Sequence, residues 1–245
     1  MISRVNSIDR LFLDERIDID KIKCNARALE ENNSLNDRSI VKLIKEVKVD
    51  LFFVNIQSLK NNLNDLKNDI YAAKANFICL AETWLEENDT IEYEGWNFYH
   101  SSKGRGKGCC LFYREGIECD LIGHFATDSF SLLSAKINET TQLFIVYLSQ
   151  AKNGVKEQLW RKIKEMRLEG YHMIMVGDFN IEARNSDLLT HYFIQNHLVQ
   201  LVTEPTHIQG RMIDHLWVSK NFPKLEVSYQ YPYYTQHKSI LIEFK

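Results

Sequence analysis

The stretch MIMVGDFNIEARNS, residues 173–186, contains the pattern that decides the fold. Its apolar first part leads through a glycine into Asp178 and Asn180, after which the chain turns polar. A short apolar run is typical of a buried strand, and polar side chains at the end of such a strand face a cleft. Asp and Asn also begin helices often, so capping of a following helix explains either residue equally well when it is considered alone.

Two earlier segments have the same design. Asn55 ends the apolar run at residues 51–55, and Glu82 directly follows another at residues 77–81. A carboxylate that emerges from a buried strand is costly to desolvate unless a cation binds it, and such oxygen ligands suit Mg²⁺ or Mn²⁺. Glu82 alone could equally face water or pair with a lysine. Three strand ends of this kind in one chain favour a metal site.

The C-terminal region adds an acid and a histidine. Asp214 lies inside the apolar segment at residues 210–219, and His237 comes just before the last apolar run, residues 239–244. An acid beside a histidine fixes its tautomer and favours the imidazolium form. The chain has eight histidines, so most of them are expected to be structural or on the surface. His215, next to Asp214 but on the opposite face of the strand, is assigned to that group.

Strands and helices alternate along most of the chain. Apolar β-branched and aromatic runs predict strands, and amphipathic stretches between them predict helices. The predicted strands cover residues 49–55, 76–82, 107–114, 141–149, 173–176, 212–219, 225–229 and 239–244, and the predicted helices cover 59–74, 156–168 and 185–196. This order predicts an α/β (α+β) fold with packed sheets covered by helices. Residues 1–48 are predicted to form a helical N-terminal extension, and residues 49–245 the main domain.

Composition limits the class of protein. With 245 residues, 44% of them hydrophobic, the chain can bury one large core, and its apolar runs are too short to cross a bilayer. The five cysteines lack metal-knuckle spacing and are too few for a disulfide scaffold, so we expect a soluble protein in a reducing compartment. A net charge of −3 argues against a protein that coats nucleic acid, although a nuclease is not excluded.

Seven motifs follow one another along about residues 48–245: VNIQSL, LAETWL, GKGCCLFYR, IVYLS, VGDFN, PTHIQGRMIDHLWVS and YYTQHKS. In this order they resemble the endonuclease/exonuclease/phosphatase family, especially the endonuclease domains of non-LTR retrotransposons and helicase-bearing transposons. The resemblance implies a four-layer αββα sandwich with its site at the strand ends along one edge. It also implies a magnesium-dependent phosphodiesterase, with manganese as an alternative ion, that nicks DNA. The presumed DNA substrate further implies residence in the nucleus.

The resemblance implies roles for individual residues around the metal ion. Glu82 would hold the ion, with Asn55 and Asp178 nearby as further ligands. Asp178 would also orient or deprotonate the attacking water, while Asn180 would hold water and phosphate. Such an arrangement suits phosphodiester hydrolysis, which needs an aligned water and neutralisation of the added negative charge.

Further residues are implied to contact the substrate. Tyr147, at the end of LFIVY, matches a tyrosine that lies close to the scissile phosphate. Asp214 would polarise His237, and the protonated ring would stabilise charge on the phosphoryl oxygens. The residues expected to bind the substrate around this centre are Lys103, Arg105, Arg211, Thr235 and Gln236.

The last motif departs from the family pattern. The family has Ser-Asp-His where this chain has Thr235, Gln236 and His237. An amide can accept a hydrogen bond or touch a metal ion, but it cannot supply negative charge or act as a base. Its presence would cost a few kcal/mol of transition-state stabilisation, at about 1.4 kcal/mol for each tenfold in rate.

Two functions therefore stay open. One is a DNA-nicking endonuclease with reduced activity, and the other is a degenerate module of the same fold that binds nucleic acid or a protein without catalysis. A phosphatase acting on inositol phosphates or lipids is disfavoured by the retrotransposon-like motifs NIQSL and ETWL.

Overall fold

The computed structural model describes residues 48–149, 152–183 and 187–245. Its strands are β1 (Leu51–Asn55), β2 (Phe77–Ala81), β3 (Trp96–Ser101), β4 (Cys109–Arg114), β5 (Asp120–Ala126), β6 (Phe130–Lys136), β7 (Thr141–Leu148), β8 (His172–Asp178), β9 (Leu198–Gln200), β10 (Asp214–Ser219), β11 (Leu225–Gln230) and β12 (Ser239–Phe244). Its helices are α1 (Leu59–Asn68), α2 (Asn153–Met166) and α3 (Leu188–Gln195), with a 3₁₀ turn at Ala72–Lys74. None of the helices in these ranges is long and apolar enough to span a bilayer.

The strands form two mixed sheets of six strands each. The first sheet has the order β11-β12-β1-β2-β4-β3, and the second has the order β5-β6-β7-β8-β10-β9. Each sheet contains one parallel pair, β1 with β2 and β7 with β8, and its other pairs are antiparallel. The predicted α/β sandwich of packed sheets and helices is confirmed.

The two faces of each central strand bury different layers. In β7, Leu143 and Ile145 pack in the core between the sheets, whereas Phe144 and Val146 pack in a second core with residues of α2 and α3. A strand that is buried on both faces needs apolar side chains at every position, which explains the continuous apolar runs in the sequence. The described structure thus has helices outside the second sheet and apolar packing between the sheets.

Several strands escaped the sequence prediction because they lack a continuous apolar run. The edge strands β3 and β5 are half exposed along most of their length. In β6, buried serines interrupt the apolar residues, and the Ser134 hydroxyl is held by a hydrogen bond of 2.8 Å from the Gln142 amide. The three-residue strand β9 is too short to show a periodicity. The resulting pattern is that of loops or short polar segments rather than of strands.

The first predicted helix, residues 59–74, is shorter in the structure and ends at Asn68. Asp69 adopts an extended conformation, and its carboxylate accepts hydrogen bonds of 2.9 and 3.1 Å from the backbone N–H groups of Tyr71 and Ala72. An Asp side chain that bonds the following backbone favours a turn over a continued helix. The predicted N-terminal extension, residues 1–48, lies outside the described residues except for Lys48.

Candidate active site

Four of the predicted residues meet at one edge of the two sheets. In the second sheet, Tyr147 and Asp214 are the register partners of Asp178 on the strands at either side of β8. From the first sheet, the Asn55 side-chain amide donates a hydrogen bond of 2.8 Å to Oδ2 of Asp178. These two residues are 123 positions apart in the chain, so the contact joins the ends of β1 and β8 across the sandwich.

Asp178 is almost fully buried at the end of β8. Its Oδ1 atom accepts a hydrogen bond of 2.9 Å from the backbone N–H of Asn180. Burial and the neighbouring charge of Asp214 raise the pKa of Asp178 to about 8, against the opposing effect of His237 and the Asn180 N–H. A carboxyl group in such surroundings gains most from a bound cation, because the cation stabilises the ionised form.

Asp214 and His237 form a buried pair. Nδ1 of His237 lies 2.9 Å from Oδ2 of Asp214, and both side chains are nearly inaccessible to solvent. Burial lowers the pKa of His237, but the charge and hydrogen bond of Asp214, with smaller effects from Asp178 and Glu82, raise it overall above its ordinary value. The geometry therefore favours an imidazolium ring that donates its Nδ1–H to Asp214.

Asp178, Asp214 and His237 are spaced as metal ligands are. Each offers a ligand atom, and these atoms all lie within 4.8 Å of one another. The Oδ1 atom of Asp214 is buried without a hydrogen-bond partner in the described part of the chain. A bound divalent cation would compensate for such an oxygen. The carboxylates of Asp178 and Asp214 therefore fit a divalent ion, whereas His237, as an imidazolium that donates to Asp214, would not coordinate it. This pair differs from the predicted ligands Glu82, Asn55 and Asp178.

Glu82 belongs to the same cluster, immediately after β2. Its carboxylate accepts a hydrogen bond from the Tyr147 hydroxyl. Burial, followed by the charges of Glu82 and Asp178, raises the pKa of Tyr147, so this hydroxyl keeps its proton at neutral pH. Asn55 is held from the other side, because its Oδ1 accepts a hydrogen bond of 3.1 Å from the backbone N–H of Gln57. This hydrogen bond fixes the amide of Asn55 in the orientation that faces Asp178.

The backbone around the cluster is unusual. Gln57, Ser58, Glu82, Trp84 and Asn180 all have positive φ angles, between 47° and 93°, although none is glycine. The loops after β1 and β2 hold each other through a hydrogen bond of 2.9 Å from the Ser58 N–H to the Glu82 carbonyl. Left-handed backbone outside glycine is sparsely populated and is concentrated at functional sites. Gln57, Ser58 and Trp84 were not among the predicted site residues, although they lie in the motifs VNIQSL and LAETWL.

Thr235 and Gln236 lie at the mouth of the cluster. The Thr235 hydroxyl donates a hydrogen bond of 2.7 Å to the Asn55 carbonyl, which ties the loop before β12 to the end of β1. Gln236 is exposed, and its backbone N–H lies 3.4 Å from the side-chain oxygen of Gln57. The amide that replaces the family's carboxylate is thus more accessible to solvent than Asp178, Asp214 and His237.

Arg211 and His207 border the Asp214–His237 pair. The His207 ring packs edge-on against the His237 ring, with the two centroids 4.7 Å apart. Burial, with the charges of His237 and Arg211, lowers the pKa of His207. The Arg211 carbonyl accepts hydrogen bonds from the backbone N–H groups of Thr206 and His207. Arg211 itself is exposed. His207 was not among the predicted site residues, although it lies in the quoted motif PTHIQGRMIDHLWVS, which also contains Asp214.

The loop between β3 and β4 lies beside Glu82. The guanidinium of Arg105 stands over the Trp84 ring at 5.5 Å, two residues after Glu82. Lys103 lines an adjoining groove of about 700 Å³, together with Glu86 and both histidines of the edge strands β3 and β5. Both cations are exposed. The structure therefore places Arg105 against Trp84, near Glu82 in the chain, and Lys103 in a groove lined by Glu86.

His215 is a structural residue, as predicted from its strand face. Its Nε2–H donates a hydrogen bond of 2.8 Å to the Ile181 carbonyl, and its Nδ1 lies 3.2 Å from the donating Nε1–H of Trp217. The ring also stacks on Phe179, with centroids 4.7 Å apart. Burial lowers the pKa of His215 to about 4.

We expect this histidine to make the fold sensitive to acid. Between about pH 6.5 and pH 4 the unfolded chain binds a proton at His215 that the folded chain excludes, so stability falls as the pH falls through this window. The loss at pH 4.5 should reach about 2–3 kcal/mol, since one pKa unit corresponds to about 1.4 kcal/mol. Urea unfolding of metal-free protein at both ends of the window measures it. His215→Gln cannot titrate, so its loss of stability over the same pH range should be smaller than that of wild type by about 2–3 kcal/mol. An equal loss in both proteins would contradict the lowered pKa of His215.

Acidic and amide side chains thus meet at the strand ends of two packed sheets, beside a buried Asp–His pair. The sequence profile of the endonuclease/exonuclease/phosphatase family matches residues 31–233. The chain belongs to this family, whose members hydrolyse phosphodiester or phosphate bonds. A search of curated proteins finds no significant sequence match.

Solved structures share the fold at low sequence identity. An AP endonuclease from Archaeoglobus fulgidus has a TM-score of 0.63 and 13% identity, and the alignment covers 79% of this chain and 98% of that one. The endonuclease domain of TRAS1, a telomere-specific non-LTR retrotransposon, has a TM-score of 0.59, 13% identity and coverages of 80% and 97%. The 3′ phosphatase NExo from Neisseria, bound to a product DNA hairpin, has a TM-score of 0.59, 16% identity and coverages of 80% and 99%.

Proposed function

We propose that the chain is a phosphodiesterase that nicks DNA and uses magnesium, or manganese in its place. The observation that carries the proposal is the buried contact of Asn55 with Asp178 beside the Asp214–His237 pair. Family membership supports hydrolysis of a phosphate ester. The DNA substrate is supported by two relatives, an AP endonuclease and an enzyme bound to a DNA hairpin.

In this proposal Glu82 and Asp178 hold the metal ion, and Asn55 positions Asp178. When bound, the ion supplies Lewis-acid stabilisation of the negative charge that develops on the phosphate. Asp178 also aligns the attacking water and accepts its proton. Two hydrogen bonds fix Asn180: its backbone N–H donates to Asp178, and its side-chain amide donates to the Leu148 carbonyl at 2.9 Å. In this fixed orientation Asn180 holds the water and the phosphate.

His237 and Tyr147 act on the phosphate as hydrogen-bond donors. Asp214 keeps the His237 ring protonated and oriented, so the imidazolium stabilises charge on the phosphoryl oxygens. The raised pKa of Tyr147 keeps its hydroxyl protonated at neutral pH. With Glu82 engaged by the metal ion, this hydroxyl would turn from Glu82 and donate to a phosphoryl oxygen. As the water oxygen bonds to phosphorus, the P–O3′ bond breaks and the sugar oxygen takes a proton from solvent water. The products are a 3′ hydroxyl and a 5′ phosphate, which is a nick.

The cations around the mouth of the cluster bind the DNA backbone. Arg105 and Arg211 approach it from the two sides of the cluster, Lys103 lies farther along the groove, and Thr235 and Gln236 contact the scissile region. Because each neutralised phosphate releases counterions, binding weakens as salt rises. A DNA substrate also leads us to propose that the protein works in the nucleus.

Replacing Gln236 by Asp should raise nicking about tenfold or more. A carboxylate at this position restores a negative charge beside the metal-binding cluster, and about 1.4 kcal/mol of transition-state stabilisation is a factor of ten in rate. The wild-type protein is expected to retain measurable activity, since the residues of the buried cluster are present. The measurement is conversion of supercoiled plasmid to the nicked circle with magnesium and with manganese.

Gln209→Asp is the matched control, because it adds the same charge on an exposed residue of the neighbouring loop. It should leave the rate unchanged. Metal binding is followed separately as a rise in melting temperature with magnesium that disappears in Glu82→Ala. Equal inertness of wild type and Gln236→Asp, in protein that shows this metal-dependent rise, would exclude the attenuated enzyme.

The second candidate function is a binding module without catalysis, and Gln236 is the residue that favours it. Such a module would bind DNA or a protein partner with the same cations and would show no metal-dependent stabilisation. The exposed position of Gln236, outside the buried cluster, supports the enzyme over this alternative. The plasmid assay and the melting temperature together separate the two functions.

A further inference from the structure

A second cavity lies at the end of the second sheet opposite the candidate active site. Its volume is about 770 Å³, and it is bordered by His172 at the beginning of β8 and Ser219 at the end of β10. Asp178 stands at the other end of β8, six residues from His172, which corresponds to about 20 Å of extended strand. The cavity is therefore separate from the catalytic cluster and from the groove that contains Lys103.

The charged side chains in this cavity are all basic. Arg167 and Lys220 contribute two permanent positive charges, and His172 and His197 add two imidazole rings. In the part of the chain that the structure describes, the lining contains no Asp or Glu, and neither the Arg167 nor the Lys220 side chain forms an ion pair. Both residues are exposed, and an anion in the cavity would face these two positive charges and no carboxylate of the lining.

The C-termini of two helices carry partial negative charges that offset part of this positive charge, but not all of it. Arg167 and Asn196 cap the C-termini of α2 and α3, and both line the cavity. Each helix C-terminus carries about half a negative charge, so the two together balance about one of the two permanent cations. Lys220 is not part of either helix and is the cation that the helix ends do not explain.

The other lining groups suit an organic phosphate. The amides of Gln195, Asn196 and Asn221 can donate and accept hydrogen bonds, and Tyr171 offers an aromatic ring. A cavity of this volume falls in the range that binds small molecules and cofactors. We propose that this cavity binds a phosphate-bearing small molecule of nucleotide size, with Arg167 and Lys220 contacting the phosphate and the amides contacting the organic part.

The test is direct binding of inorganic phosphate and of deoxyadenosine 5′-monophosphate by chemical-shift titration. The protein carries Asp178→Asn and is kept free of divalent metal, so that the candidate active site does not contribute. Both probes should bind, the nucleotide at least about tenfold more tightly if the amides contact its organic part. Arg167→Gln and Lys220→Gln should each weaken binding about tenfold, and the double variant about a hundredfold.

Two further variants keep the result interpretable. Asn221→Asp adds a negative charge to an exposed lining residue without removing a helix cap, and it should also weaken both probes. Lys136→Gln removes a positive charge elsewhere on the second sheet and should leave binding unchanged. The proposal fails if neither probe binds below about 10 mM, or if the cavity variants bind both probes like the parent. None of these outcomes bears on nicking, which is measured with Asp178 intact.

Discussion

Asp178→Asn is expected to lose at least about a thousandfold in nicking rate, because it removes both a charge that holds the metal ion and the acceptor of the water proton. The neutral side chain has nearly the same size, so the buried position stays filled. Plasmid nicking under single-turnover conditions measures the chemical step without a contribution from product release.

The same variant should be more stable than wild type in metal-free buffer. Burial and Asp214 raise the folded-state pKa of Asp178 to about 8, whereas an unfolded Asp titrates near 3.9. Between these values the unfolded chain has released a proton that the folded chain keeps, so the stability of wild type falls as the pH rises from about 4 to 8. Asn removes this loss. We expect a gain of about 1–2 kcal/mol at pH 7.5, since part of the benefit is offset by the poorer match to the two donors, Asn55 and the Asn180 N–H.

The opposite signs of the two effects identify a functional residue. A residue that only supports the fold would lose activity and stability together. Asp120→Asn, an exposed acid of the edge strand β5, is the control and should change neither quantity. If Asp178→Asn does not gain stability relative to wild type as the pH rises from about 5 to 7.5 in metal-free buffer, the raised pKa of Asp178 and the case for its place in a metal site are contradicted.

The sequence was sufficient for the parts of the fold and site that are encoded locally. Strands β1, β2 and β8 are buried on both faces and end in, or are directly followed by, a polar residue. Asn55, Glu82 and Asp178 could therefore be recognised from short windows. The structure brings these residues together with Tyr147, Asp214 and His237 at one edge. Their individual roles stay predictions.

Other features depend on contacts between distant segments. The hydrogen bond from Asn55 to Asp178 and the left-handed backbone at Trp84 arise from the way that loops of different strands fit together. Edge strands β3 and β5 were missed because half-exposed strands share the composition of loops. The basic cavity is built from two helix ends and two strand ends, and Arg167 and Lys220 are 53 positions apart in the chain. No short window of sequence contains such information.

Gly177→Ala is expected to destabilise the fold by about 3 kcal/mol or more, or to prevent folding, because a methyl group has no space there. A Cβ atom at Gly177 would lie 2.0 Å from the carbonyl oxygen of Val146 and 2.8 Å from its carbonyl carbon. Val146 is the register partner of Gly177 on the parallel strand β7, so the obstacle is backbone. It cannot move aside without breaking the pairing that sets Tyr147 beside Asp178. Urea unfolding, or the soluble yield if the variant does not fold, measures the effect.

Gly123→Ala is the matched control, since this glycine also lies in a strand of the second sheet. Its Cβ would meet only the flexible side chain of Met166, at 3.5 Å, which is ordinary contact. We expect a change of less than about 1 kcal/mol, because alanine also lowers the entropy of the unfolded chain. Near-equal effects of the two substitutions would mean that β7 and β8 can separate at Val146. Gly177 would then be unnecessary for the close approach of β7 and β8, and its presence before Asp178 in the motif VGDFN would need another explanation.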